Sequence, residues 1–307
     1  MAFAHPDKVL RLVSRAACRL LLPLLLAAPA WAVDVVVFDR PASQNDFRRE
    51  YARSLLRTVL ERTTPEYGPW RMELAPAHME RRRLLAALKE GKWVNVTAYP
   101  ASGDWMRALK AVPVPIDMGL QSWRIALIDK RSQPQFRALG PAQLKLLRAG
   151  ANNAWVTYRS LQQNGFSVVS GGNYDGLFDM LMAGRFDFLP RGVNEIFREL
   201  EAHRREYPDL AVEESFLLHD QIPSLFFVSP HESRLHQRIA AGMEAMLKDG
   251  SLERLVLRYH GAELKRAALC HRKRIELNSG ELDPALAARR ELWLDPFDPR
   301  HGFCPVR

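Results

Sequence analysis

Arg191 ends the stretch Phe186-Asp187-Phe188-Leu189-Pro190-Arg191, where a short apolar run leads with almost no slack into a guanidinium. A guanidinium so placed grips a carboxylate through two parallel hydrogen bonds. Two uses are open: it receives an anionic group of a small ligand at the mouth of a cleft, or it braces the protein through one of its own carboxylates. Reactive chemistry is poorly represented. The chain contains no G-x-S-x-G elbow, no G-x-x-x-x-G-K-[ST] loop and no H-E-x-x-H pair, and His203, His219, His231, His236 and His260 are scattered over polar segments that read as solvated. These residues point to binding, with no cofactor and no metal site implied. Cys270 and Cys304 both lie in the C-terminal tail, and in an oxidising compartment two such cysteines pair by default. Free thiols stay open, as does a zinc site with His271 and His301, although adjacent Cys270 and His271 rarely both reach one tetrahedral metal.

The N-terminus bears on the compartment. Lys8, Arg11, Arg15 and Arg19 precede an apolar run over 20–28, and Ala30-Trp31-Ala32 has the small-x-small form of a cleavage site, so residues 1–32 read as a secretory signal peptide and the mature chain as 33–307. The apolar run falls short of the roughly 20 residues that span a bilayer. Cys18 precedes that run and does not read as a lipidation site. An exported periplasmic protein follows. Four of the 44 Lys and Arg and one of the 35 Asp and Glu fall in the signal segment, so the remainder is less basic than the whole-chain net of +9. That moderate balance, with export, argues against nucleic acid as a partner.

The elements that must position these residues alternate. A valine-rich strand over 33–38 opens at Asp39-Arg40, a helix runs over 44–62, and a strand over 70–74, a helix over 79–89 and a strand over 93–98 follow. Strands separated by helices pair in parallel through right-handed crossovers, and ligands lie beyond their carboxyl ends. There stand Asp39, Arg40 and the loop from Tyr99 to Gly103. Prolines and Gly119 mark a crossing near 119–123, after which a second α/β run begins. It holds strands over 123–128, 166–169 and 186–189, helices over 141–147, from 150–155 onward, 174–182 and 194–207, and a return crossing at 221–223. A strand over 225–228 and helices over 235–247 and 252–259 complete the body, and the charged tail reads as a wrap over the first domain.

Three stretches carry a resemblance: LFDMLMAGRFDFLPRG at 177–192, LFFVSPHESRLHQRIAAGMEAMLKDGSLERL at 225–255, and WVNVTAYPASGDWMRALKAVPVPIDMGL at 93–120. In order and spacing they resemble the family 3 solute-binding proteins, the periplasmic binding proteins of amino acid ABC transporters and related sensors, over roughly 33–262. The resemblance implies an α/β, type II periplasmic binding fold of two lobes, each a mostly parallel sheet flanked by helices, joined by two crossing segments. Lobe 1 would be 33–121 with 222–262, lobe 2 would be 122–221, and the tail 263–307 would pack on lobe 1. It also implies that Arg107 grips a ligand carboxylate and that the helix start at Asn152-Asn153 meets an anion. Tyr99, Trp105 and Trp155 would line the cleft edge, or serve as core or rim. Where the family places the carboxylate for a ligand ammonium, this chain has Pro190-Arg191-Gly192, which puts an ordinary α-amino acid ligand in doubt and favours Arg191 as an anion receiver, with Asp39 or Glu195 as the ammonium partner. The implied function is capture of a small polar or anionic solute, an amino acid or related carboxylate, by a monomer that serves an ABC permease. Presentation of the ligand to a membrane receptor is the alternative, and an enzyme on the same scaffold a more distant one.

Overall fold

The computed structural model describes residues 33–44, 46–278, 280 and 283–304, and the expected signal segment 1–32, with Cys18, lies outside the described residues. Strand β1 (Asp34–Phe38) is the valine-rich run, and α1 (Glu50–Arg62) carries the chain to β2 (Trp70–Leu74), which pairs with β1 in parallel. Parallel pairing needs such a crossover helix, and α1 covers the sheet with one apolar stripe that includes Tyr51, Leu55, Val59 and Leu60. Next come α2 (Arg81–Glu90), stopped by left-handed Gly91, then β3 (Val96–Pro100), the short α3 (Gly103–Ala108) and β4 (Lys110–Ala111).

The chain crosses over at Met118–Ser122 and opens a second sheet with β5 (Trp123–Asp129). In chain order follow α4 (Gln133–Ala138), β6 (Arg148–Asn152), α5 (Val156–Gln163), β7 (Ser167–Gly171), α6 (Gly176–Met182), β8 (Leu189–Gly192), α7 (Ile196–His203), β9 (Leu210–Val212) and β10 (Phe216–His219). β6 and β7 pair in parallel, and a bridge from Ala149 to Phe188 ties them to the chain entering β8. β5 runs antiparallel to β8, β9 and β10. The return is β11 (Ser224–Val228), antiparallel to β3 and β4, which completes a first sheet of order β2-β1-β3-β11-β4. β5 and β11 are the strands that arrive from the other lobe. Each enters its sheet from the far end and so runs against its neighbours.

Helices α8 (Ser233–Lys248) and α9 (Ser251–Ala267) close the first lobe. α8 approaches α1 closely at Gly242, where an added Cβ would lie 2.7 Å from Val59. Fully buried Arg238 of α8 donates to Thr63 Oγ1, to the Leu60 carbonyl and to Asp34, tying α8 to the end of α1 and the start of β1.

Several boundaries differ from the sequence-based expectation. α1 starts at Glu50 and not near 44, because Asp46 accepts hydrogen bonds from Ala42 N and from Arg48, and so folds 42–49 into a turn. Of the segment 150–155, expected to open a helix, residues 150–152 belong to β6 (Arg148–Asn152), and the helix starts only at Val156. The strand expected over 186–189 lies at Leu189–Gly192, so that Arg191 stands inside it, opposite Ile125.

The tail also departs from expectation. Instead of lying on the first lobe alone, it first forms β12 (Lys273–Glu276), which pairs in parallel with β10 and extends the second lobe's sheet. The reason is alternation: Ile275 and Leu277 enter the second lobe's apolar cluster beside Phe216 and Leu218, while Arg274 and Glu276 stay outward. The chain then forms α10 (Pro284–Ala288) and returns to the first lobe, where Arg289 pairs with Glu244 of α8. Cys270 and Cys304 are joined by a disulfide with Cα atoms 5.7 Å apart, and among the described residues no cluster of His, Cys, Asp and Glu could hold a metal. No described helix is long and apolar enough to cross a membrane.

Candidate functional site

A cavity of about 90 Å³ lies between the lobes, where the carboxyl end of β3 faces the start of α5, with both crossing segments at its side. The first lobe contributes two adjacent guanidinium groups. Buried Asp46 receives Arg48 through Nε (2.7 Å) and Nη2 (2.9 Å), which fixes the turn before α1. Arg49 donates Nε to Asp39 (2.8 Å) and Nη1 to the Ala98 carbonyl (2.8 Å). Its charge lies 4.8 Å from the centre of the Tyr99 ring, which stacks on Trp105 at 4.6 Å. Arg48 reaches across the cleft, its guanidinium carbon 4.2 Å from the Tyr174 ring and 5.6 Å from the Trp155 ring of the second lobe.

Arg191 faces it from the other side. Leu189 and Arg191 alternate onto the same face of β8, the one packed under α7, so the arginine's stem is buried and its head meets Glu199 (2.7 Å and 2.6 Å) and Glu195 (3.1 Å). The Tyr174 hydroxyl donates to Glu199 as well (2.9 Å). Burial opposes the charges on both sides, yet Glu195 and Glu199 hold the Arg191 guanidinium above its usual range, and Arg191, with Arg124 and the Gly192 N–H, holds Glu195 below the usual carboxylate range. Trp155 lies 4.8 Å from the Arg191 guanidinium, so the indole is shared by a cation from each lobe.

The crossings supply a third group. Asp117, 1% exposed, accepts hydrogen bonds from Gly119 N (3.1 Å), Gln121 N (3.0 Å) and the Asn194 amide (3.2 Å). Burial pushes its carboxyl up to about 6 against the pull of those backbone N–H groups, and neighbouring Glu195 adds to the rise. Beside it Arg124 pairs with buried Asp220 (3.2 Å). Asn194 Oδ1 and the Nε2 of His260 line the same cavity without hydrogen-bond partners among the described residues. Burial, with Arg198 adding, pushes the His260 imidazole down to about 4, so it is neutral at ordinary pH.

Of the residues singled out in the sequence as ligand contacts, Tyr99, Trp155, Arg191 and Glu195 line this cavity, Glu195 with its carboxylate on Arg191. Asp39 sits one layer behind, holding Arg49 and Thr97, and Trp105 is fully buried beneath Tyr99. Asn152 forms the turn that starts α5, accepting from Ala154 N and donating to the Gly172 carbonyl, while Asn153 is exposed; Trp155, Val156 and Thr157 are the residues of that helix start that reach the cavity. Arg40 bonds the Ala75 carbonyl away from the cavity. Arg107 is corrected: it is exposed, its guanidinium turned back beside Gly103 on its own helix, and it does not line the cavity. A six-residue helix following β3 leaves its last turn on the outer surface. Of the two uses open to Arg191 in the sequence, the structure shows the pairing with protein carboxylates, Glu195 and Glu199, while the residue also lines the cavity.

Arg48, Arg49, Asp117 and Glu199 were missed. Reading the first helix from 44 hid Arg48 and Arg49 in a helix start, and the signal that separates them is Asp46, a side chain that caps turns. Asp117 lies two residues before Gly119 in a proline-rich approach, the sequence form of a turn.

No protein-family model matches the sequence, and comparison with curated proteins gives no match. Solved structures do match in fold. A probable amino-acid ABC transporter extracellular-binding protein of Bacillus subtilis aligns at 15% identity and TM-score 0.56, covering 75% of this chain and 99% of that one. A periplasmic binding protein of Salmonella typhimurium with high arginine specificity aligns at 14% identity and TM-score 0.54, over 74% of this chain and 100% of its own. A histidine kinase sensor domain similar to periplasmic binding proteins aligns at 17% identity and TM-score 0.53, over 75% and 96%. The fold is therefore that of the two-lobed periplasmic binding proteins, as the three stretches of sequence imply.

Proposed function

We propose that this chain is an exported binding protein that captures a small polar solute, an amino acid or related carboxylate, between its lobes and delivers it to the permease of an ABC-type importer. The observation that carries this reading is the cavity lined from both lobes, with Arg48 and Arg49 on one wall, Trp155 and Arg191 on the other, and Asp117 at the crossing. Arg49 uses Nε and Nη1 internally and Arg48 uses Nε and Nη2, which leaves Arg49 Nη2 and Arg48 Nη1 for a ligand carboxylate. Arg191, saturated by Glu195 and Glu199, serves as a wall. Asp117 supplies the negative end, so the site suits a solute with an anionic and a cationic group. A ligand touching both lobes adds to the stability of the closed arrangement relative to any more open one. The chain acts as a monomer and a binder, without chemistry of its own. Its structural neighbours include binding proteins of amino acid transporters, which supports this reading.

Isothermal titration of the mature chain against L-amino acids and small carboxylates tests it. Binding that disappears in Arg49→Met is expected. Absence of binding across both classes overturns the proposal.

A further inference from the structure

The tail after α9 touches both lobes and the first crossing segment, on the side that does not line the cavity. Asp117, Gln121 and Arg124 face the cavity, whereas Met118, Gly119, Trp123 and His219 face the tail. On the second lobe β12 pairs with β10 through four residues, and His219, which ends β10, stacks on Trp123 at 3.7 Å and bonds Glu276 at 2.8 Å. On the first crossing Leu294 N donates to the Met118 carbonyl (2.8 Å), and the Trp293 ring lies so close to Gly119 that an added Cβ would be 2.4 Å from it. Phe297 meets Trp123 edge-on at 5.3 Å. On the first lobe Arg289 grips Glu244 through two hydrogen bonds (2.7 Å and 3.0 Å). The Cys270–Cys304 disulfide then returns the end of this excursion to the foot of α9.

We propose that the described tail segments 269–278 and 283–304 act as a strap, closed by the Cys270–Cys304 disulfide, that holds the two lobes in one mutual orientation across the outer side of the crossing segments. Hinge opening changes the backbone angles of a few crossing residues. Here those residues are held by the tail: Met118 and Gly119 already occupy left-handed conformations, with φ of 50° and 80°, and are packed against Trp293 and Leu294. Rotation of one lobe must therefore shear β12 from β10 or tear 289–294 from α8 and the first crossing. The disulfide prevents the strap from releasing at its free end. The strap acts whatever the cavity binds, and it sets how far the empty protein opens.

The test uses the full mature chain without ligand, as wild type, Cys270→Ser/Cys304→Ser and, separately, Trp293→Ala. Small-angle scattering reads the radius of gyration, and hydrogen exchange reads the cavity-facing amides of Val156 and Thr157 against those of β1 and α8. Wild-type scattering matching the closed molecule, with a larger radius and roughly tenfold faster exchange at Val156 and Thr157 in both variants while β1 and α8 keep wild-type rates, is the expected result. Wild-type behaviour of either variant that keeps its β1 and α8 protection overturns the strap, as does a wild type that already scatters as an open molecule. If the double serine variant loses protection throughout, Trp293→Ala with its disulfide intact decides.

Discussion

The Arg191 charge is met by Glu195 and Glu199 inside the fold, whereas Arg107 stands exposed on α3. Removing the Arg191 guanidinium leaves Glu195 and Glu199 buried without their cation, so Arg191→Met should cost about 3–5 kcal/mol of stability in urea melts. Arg107→Ala, on an exposed side chain, should stay within about 0.5 kcal/mol and leave ligand affinity unchanged in the same preparations. Asp117 couples binding to protons. A ligand cation beside it draws its pKa down from about 6, so binding releases a proton and affinity falls by up to about tenfold per unit as pH drops below 6. Titration calorimetry between pH 4.5 and 7.5, on the order of three pH units, reads that slope, and a flat profile would remove Asp117 from the site. His260 acts on stability in the opposite sense to a paired histidine. Its folded pKa of about 4 lies below the ordinary 6.5, so the folded state binds fewer protons in that window and stability is lost as pH falls from 6.5 toward 4. The whole loss is about 3 kcal/mol, and His260→Gln should show less acid destabilisation across that range in thermal melts.

At the scale of elements, two helical glycines differ in what surrounds them. Gly242 lets α8 lie against α1, with Val59 and Thr63 at 2.7 Å and 3.0 Å from an added Cβ. Gly242→Val should therefore destabilise by about 1–3 kcal/mol through overpacking. Gly261 of α9 has nothing within 4 Å of such a Cβ, and Gly261→Ala should stabilise by about 1 kcal/mol, because alanine loses less backbone freedom in a helix. Denaturant midpoints measured side by side check both signs. The alternating elements of the first lobe were legible because β-branched runs and helical spacing are local signals. The start of α1 and the position of β8 were not, since the first depends on Asp46 closing a turn and the second on which residues of 186–192 pair with β5.

Across the whole molecule, ion pairs at the rim join the lobes on the open side of the cavity. Arg198 of α7 meets Glu50 of α1 at 2.5 Å, and Arg266 of α9 meets Glu201 of α7 at 3.2 Å. All four side chains are at least partly exposed, so each pair is worth at most about 1 kcal/mol and weakens with salt. Glu50→Gln/Glu201→Gln should speed hydrogen exchange at Val156 and Thr157 only a few-fold, a smaller effect than releasing the strap. Equal effects would mean that the rim and the tail hold closure alike.

The order of strands and helices, two crossings near 119 and 221, an aromatic wall at Tyr99 and Trp155 and the pairing of Cys270 with Cys304 were all within reach of the sequence, because each rests on local composition, period or residue type. Charge pairing was not. Whether Arg191 meets a ligand or Glu199, whether Arg107 or Arg49 faces the cavity, and whether the tail lies on one lobe or straps two depend on side chains brought together from distant parts of the chain. A guanidinium carries the same charge wherever it stands, and only the folded packing decides which carboxylate reaches it first.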